Sequence, residues 1–235
     1  MSSKDEWRVR CSGNGDEGAS LLALSGRMAE QLRRLPEYRT AGRIFVTPAL
    51  ALRQVRINAL VDGKELLMPA PGLKEGFLLL RPFQVPFAHL AYAVTPKGAA
   101  EHGVKMGGEE LAKTKVDLLL TDFVVADRMG GFVGDGKGFF DLAVAVLARL
   151  GALSENALTL GFGAEARVQE AGMPHDPWDI RLNRLLTETG LTHCADELPA
   201  SAVIHWEKLA PARVRKVTPL WKIAIQEGRA PLRKD

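Results

Sequence analysis

The stretch DRMGGFVGDGKGFFDLAVAVLARLGAL, residues 127–153, sets glycines at 134, 136 and 138 directly ahead of a helix-like run that carries Asp141. Glycine leaves backbone N–H groups uncovered, and a helix start adds the positive end of its dipole, so this combination suits an anion such as a phosphate. Lys137 adds a point charge. Two common glycine signatures do not fit. A P-loop needs Ser or Thr after the lysine, where Gly138 stands, and the dinucleotide pattern needs a glycine where Phe139 stands. A bare G-x-G-x-G also serves as a plain turn, and Asp141 also suits the first turn of any helix.

The flanking elements tell more about such a loop. VDLLLTDFVVAD (116–127) is apolar on both faces, as a central parallel strand covered by helices is. A helix carrying Leu142, Val146 and Leu150 follows the glycines, then ALTLGFG as a strand, which completes a βαβ unit. Upstream, ASLLALSGRMAEQLRRL puts Leu21, Leu24, Met28, Leu32 and Leu35 on one helical face. RIFVT reads as a strand, ALRQVRINALVDG as a helix stopped by Gly63, ELLMP as a strand closed by Pro69, and FLLLR as another. Residues 95–108, TPKGAAEHGVKMGG, read as loop. The alternation predicts an α/β fold with a mostly parallel sheet.

Extended to G-x-G-x-G-F-F-D, the glycine segment resembles that of the 5-formyltetrahydrofolate cyclo-ligases, or methenyltetrahydrofolate synthetases. The likeness runs in order from about Arg43 to Glu188 through GKELLMP, VDLLLTDFVVAD, TLGFG and MPHDPWDIRLNRLLTETG. VIHWEKL and PLWKI are similar to the C-terminal extension of a side branch, the methenyltetrahydrofolate synthetase domain-containing proteins. The resemblance implies a three-layer α/β sandwich of the NagB/RpiA/CoA transferase-like class, with its cleft at the carboxyl ends of the parallel strands. It also implies ATP-dependent closure of 5-formyltetrahydrofolate to 5,10-methenyltetrahydrofolate, with release of ADP and phosphate. Position by position, Gly134, Asp135, Gly136, Lys137 and Gly138 would cradle ATP, and Phe139 and Phe140 would stand beside the folate or pack in the core. Asp141 and Asp179 would hold Mg²⁺, a hard cation that favours oxygen ligands. KDEWR matches a Lys-x-x-x-Arg step, which carries Lys4 and Arg8 to the nucleotide.

The chain departs from that pattern at several places. Phe132 stands where many members carry Arg, Asp135 where the residue is often basic, and Asn183 at a second acidic position. Ala49, Ala51 and Arg53 occupy the segment where the family has an acidic residue that engages folate. These departures keep open a second reading, a non-catalytic nucleotide- or RNA-binding module that retained the phosphate cradle.

At 235 residues, 46% hydrophobic and 25% charged, the composition is that of an ordinary globular protein with room for one substantial core. Residues 1–197 are expected to form one domain, with 198–235 a basic extension packed on it. From His205 onward eight Lys and Arg oppose three Asp and Glu. That segment interleaves charge with Trp221, as RNA-binding segments do, but it also reads as a helix that packs Trp221 and Ile223 and leaves its cations wet. Cys11 and Cys194 lack metal-ligand spacing, and the five histidines form no zinc pattern. His175 and Asp176 could line the same cleft as Asp179. No apolar run spans a bilayer and the start lacks a secretion signal, so the expected address is the cytoplasm.

Overall fold

Ile44 and Val46 face one side of a sheet and Phe45 the other, and all three are fully buried. The same alternation recurs at Leu66, Leu67 and Met68 and at Leu118, Leu119 and Leu120, so both faces of these strands are covered. The computed structural model describes residues 4–11, 15–170, 172–194, 199 and 202–229, and of residues 10, 11 and 15–21 the backbone alone.

Helices α1 (Lys4–Cys11), α2 (Gly15–Arg34) and α3 (Pro36–Thr40) lead into β1 (Arg43–Val46), α4 (Arg53–Val61), β2 (Glu65–Pro69) and β3 (Phe77–Leu80). Then come α5 (Leu90–Ala93), α6 (Pro96–His102), β4 (Val104–Met106), α7 (Gly108–Ala112), β5 (Val116–Asp122), β6 (Val125–Asp127) and β7 (Phe132–Val133). The rest is α8 (Phe139–Arg149), β8 (Leu153–Phe162), β9 (Val168–Gln169), β10 (Arg184–Thr187), β11 (Gly190–His193), α9 (Pro211–Lys216) and α10 (Thr218–Gln226). The main sheet runs β11-β10-β8-β5-β1-β2-β3-β4, parallel from β10 through β2 and antiparallel at both edges. A small second sheet, β7-β6-β9, carries the glycine segment.

One face of the main sheet packs on α2, α4, α5 and α6 through Met28, Leu32, Val55, Leu60, Leu90 and Ala99. The other packs on α8 and α10 through Ala143, Val144, Leu147, Leu220 and Ile223. The layering is thus helix, sheet, helix, and the sheet is mostly parallel, as the sequence predicts. On α2, Leu24 and Leu35 are partly buried beside Met28 and Leu32, while the side chain of Leu21 lies outside the described residues. Among the described residues no helix is long and apolar enough to cross a membrane.

Two stretches differ from the sequence reading. Residues 95–108 are not loop: Thr95 Oγ1 accepts from Gly98 N at 3.0 Å and caps α6, with Pro96 in the first turn. Gly98 acts as a close-contact residue, since a Cβ there would stand 2.0 Å from Tyr92 O. β4 is an edge strand with exposed residues, so it lacks the apolar alternation that announces a strand. Residues 116–127 are two strands. After Asp122 the chain leaves the main sheet at Phe123, whose ring lies against Gly161 and Gly163, where any Cβ would collide with it.

Arg56 positions the turn after β1. It is 2% exposed, and its guanidinium donates to Val94 O at 2.9 Å, Thr47 O at 2.6 Å and Ala49 O at 2.9 Å. Burial brings its pKa down to about 10, which still leaves it charged at neutral pH. Arg56→Met retains the stem but leaves three carbonyls without that donor. It should cost about 3 kcal/mol, read as a lowered urea midpoint at unchanged slope. A loss below about 1 kcal/mol would mean that these carbonyls are met by other donors.

Candidate active site

The chain leaves β7 through Gly134 and enters α8 at Phe139, and in between its backbone turns twice through the left-handed region. Gly136 has φ +82° and Gly138, which precedes the first turn of α8, has φ +59°. A Cβ on Gly136 would also stand 2.9 Å from Arg8 Nε. Arg8 Nε donates to Gly134 O at 3.2 Å, and Arg213 Nη2 donates to Lys137 O at 2.7 Å and Gly138 O at 3.4 Å. The carbonyls of Gly134, Lys137 and Gly138 are therefore turned toward guanidinium groups. Of the five loop amides, Lys137 N has a protein acceptor among the described residues, the Asp135 carboxylate at 3.0 Å. Beside the loop opens a cleft of about 680 Å³ at the carboxyl ends of β1, β2 and β5.

Asp141 projects from the first turn of α8 into this cleft, and its Oδ1 accepts from Ile180 N at 2.9 Å. Burial lifts its carboxyl above the usual range and the negative charge of Asp179 adds to the shift, with Ile180 N and Lys4 opposing. Asp179 accepts from Asp176 N at 2.6 Å and pairs with the Lys4 ammonium on α1. Two neighbouring carboxylates thus share one cation, a negative balance built of oxygen donors, which is the setting that fits a hard divalent ion completed by phosphate oxygens. Ionised, Asp141 and Asp179 would hold such an ion, and the ion would neutralise phosphate charge.

The 5-formyltetrahydrofolate cyclo-ligase family model matches residues 14–188. The chain belongs to this family. It is 26% identical over 211 residues to the methenyltetrahydrofolate synthase domain-containing protein of Bos taurus, across 88% of this chain and 54% of that protein. For the same protein of Danio rerio the identity is 26% over 192 residues, 80% and 49% of the two chains. For that of Homo sapiens it is 24% over 206 residues, 86% and 53%. The chain spans about half the length of these curated relatives. Its fold is similar to the NMR structure of Aquifex aeolicus 5,10-methenyltetrahydrofolate synthetase, with a TM-score of 0.53 at 22% identity, covering 88% of this chain and 99% of that one.

The cleft of this cyclo-ligase family member gathers Lys4, Arg8, the glycine loop, Phe139, Phe140, Asp141 and Asp179. Lys4 and Arg8 lie outside the stretch that the family model matches, yet α1 carries both to the site. Phe140 is 6% exposed and packs against Phe45 at 6.2 Å and Phe132 at 5.9 Å, so it is a core residue whose edge reaches the cleft. Phe139 is partly exposed, with the Arg213 guanidinium 5.2 Å from its ring centre. Asp176 lines the cleft; His175 lies in a smaller adjoining pocket, 3.8 Å from Asp179. Asn183 is buried away from the cleft, where its Oδ1 accepts from both Thr159 N and Thr159 Oγ1 at 2.8 Å.

The residues that sequence reasoning missed come from the C-terminal segment. Val203, Ile204, His205, Lys208, Leu209 and Arg213 form one wall of the cleft, and the Lys208 ammonium sits 4.4 Å over the Trp178 ring. The segment is held there by Val214, Val217, Leu220 and Ile223 in the core and by an Arg149–Glu227 ion pair at 2.7 Å. Its basic surplus was visible, but nothing in the spacing said that one arginine reaches back to the glycines.

Because the folded-state pKa of Asp141 is raised, its contribution to stability is most favourable below the unfolded value of about 3.9 and is lost as pH rises through the folded value. Asp141→Asn should therefore raise the melting temperature at pH 7.5 without added metal, with a gain that shrinks toward pH 4. Scanning calorimetry across that range checks it; a lower melting temperature at pH 7.5 would contradict the assignment.

Proposed function

We propose that the protein closes 5-formyltetrahydrofolate to 5,10-methenyltetrahydrofolate with consumption of MgATP. The observation that carries this reading is a family-matched cleft in which glycine-loop amides, two cations of α1 and a carboxylate pair converge. The reaction joins a folate amine nitrogen to the formyl carbon and expels the formyl oxygen as phosphate. The protein therefore has to align a triphosphate with a reduced pterin and keep bulk water from both.

On this reading the loop amides and the dipole of α8 receive phosphate oxygens, and Lys4 and Arg8 supply fixed positive charge. Asp141 and Asp179 hold Mg²⁺. Arg213 offsets the absence of an arginine at position 132: it approaches the loop from the segment after residue 198, which belongs to the same unit as residues 1–197. Phe139 and the Trp178–Lys208 pair offer flat surfaces for aromatic rings.

The enzyme reading requires the near-ultraviolet chromophore of the methenyl product to form only when protein, MgATP and 5-formyltetrahydrofolate are mixed together. Silence at all practical enzyme concentrations would defeat it. Arg213→Ala should raise KM for ATP about tenfold, the worth of one charge-assisted hydrogen-bond pair, with KM for the folate nearly unchanged.

One observation favours the second reading, a nucleotide- or RNA-binding module without the folate reaction. The exposed Asp135 carboxylate occupies the Lys137 amide and lies 3.4 Å from the Lys137 ammonium, so two of the cradle's donors are engaged. Calorimetry separates the two. The enzyme binds both MgATP and a reduced folate, whereas the module binds ATP or RNA and no folate.

A further inference from the structure

Asp127 ends β6, is 4% exposed and stands outside the cleft lining. Its Oδ1 accepts from Met129 N at 3.0 Å and Gly131 N at 2.9 Å, and its Oδ2 from Met173 N at 3.1 Å. The first two bonds close the turn that leads into β7 and so to the glycine loop. The third reaches the start of residues 173–182, the segment that carries Asp179 and Ile180. The far end of that segment is tied to the same turn: Leu182 N donates to Gly130 O at 2.8 Å, and Arg181 Nη1 to Met129 O at 3.3 Å. Gly130 has φ +85°, and a Cβ there would stand 2.3 Å from Leu182 O, so the two backbones are in direct contact. Trp7 of α1 packs on Val125, Val133 and Met173, which seats the helix that carries Lys4 and Arg8 on the same strands.

Residues 173–182 contain no helix or strand, so no backbone ladder sets the place of Asp179. Its position depends on the two tethered ends and on local bonds, with Ile180 N held by Asp141 Oδ1 at 2.9 Å. Metal ligands need support from outer partners, because a displacement of about 0.5 Å already spoils a coordination site. An asparagine at 127 would keep one acceptor oxygen and turn an NH₂ group against an N–H. The orientation that saves two bonds keeps the oxygen on Met129 N and Gly131 N and sets the NH₂ against Met173 N. Asp127→Asn thus releases the segment and spares the turn.

We infer that Asp127 is a positioning residue for the divalent ion of MgATP: through Met173 N it fixes the 173–182 segment so that Asp179 stands beside Asp141. This rests on the MgATP reading proposed above. Asp127 touches neither the nucleotide nor the ion; it sets the distance between two elements that do.

The test uses the full chain, well below its melting transition, with two readouts. The first is titration calorimetry with ATP in EDTA and with MgATP. Asp127→Asn should reduce the gain in ATP affinity that Mg²⁺ brings by at least fivefold and keep ATP in EDTA within threefold. Gly131→Ala is a milder probe of the same joint, since its Cβ would stand 3.0 Å from Asp127 Oδ2 while its backbone lies outside the left-handed region; it should reduce the gain at least twofold. Leu32→Ala, a buried truncation on the opposite face of the main sheet, lowers stability by another route and should leave the gain within twofold. The second readout is hydrogen exchange on the ligand-free protein, where Met173 and Ile180 amides should exchange at least tenfold faster in Asp127→Asn than in Leu32→Ala. The inference alone is overturned if wild type binds MgATP and Asp127→Asn keeps its Mg²⁺ gain, if Leu32→Ala loses as much, or if the two amides exchange no faster. Wild type that gains nothing from Mg²⁺ would overturn the proposed MgATP reading, and this inference with it.

Discussion

The organisation of the cleft depends on which way five peptide groups point. Three of the carbonyls are held by guanidinium groups, that of Gly134 by Arg8 and those of Lys137 and Gly138 by Arg213. A peptide plane that turns its oxygen toward a guanidinium necessarily swings its N–H the opposite way. The left-handed conformations of Gly136 and Gly138 make that orientation accessible without a clashing side chain. The anion-receptive face of the loop is thus a product of two arginines as much as of three glycines. Both arginines come from outside the stretch that defines the family, one from each end of the chain.

This arrangement distributes charge in layers. Lys4, Arg8 and Arg213 surround the loop from α1 and α9, while Asp141 and Asp179 sit beneath, bridged to the cations by the Lys4–Asp179 pair. Partly exposed pairs such as Asp135–Lys137 contribute little to stability, because solvent screens them. The Asp141 carboxyl is different: burial makes its charge expensive, and the fold tolerates it beside a second carboxylate. A cost retained at that place is coherent with a site whose full complement of positive charge arrives with its ligands.

Much of the scaffold was legible from apolar pattern alone, since the β1, β2, β5 and α8 sequences each bury what their periods demand. Legibility failed where the determining interaction was not local. Gly98 and Gly103 look like breakers, yet each admits a backbone at a distance no side chain would allow. Phe123 ends a strand because Gly161 on β8 and Gly163 just after it make room for its ring. The glycine loop and its carboxylate were readable as a contiguous motif. Arg213 was not, since its role depends on α9 folding back across 75 residues to reach Gly138. Phe140 was read as either ligand platform or core, and the rings of Phe45 and Phe132 around it are tertiary facts.

The same sheet offers an internal standard for its buried polar groups. On β8 and just before β10, Thr159 and Asn183 are both fully buried, and each satisfies the other: the amide oxygen accepts from the threonine N–H and hydroxyl, and Asn183 N donates back to Thr159 Oγ1 at 3.0 Å. Thr159 Oγ1 also lies 2.8 Å from Arg181 O, so both groups are satisfied within the protein, as buried polar groups ordinarily are. Asp122 ends β5, the neighbour of β8, and Thr47 follows β1, one strand further. Among the described residues the Thr47 hydroxyl has no hydrogen-bond partner and is shut off from solvent. Sequence near both places is comparably apolar, and Arg56 shows that this core can bring three bonds to one buried group when stability requires it.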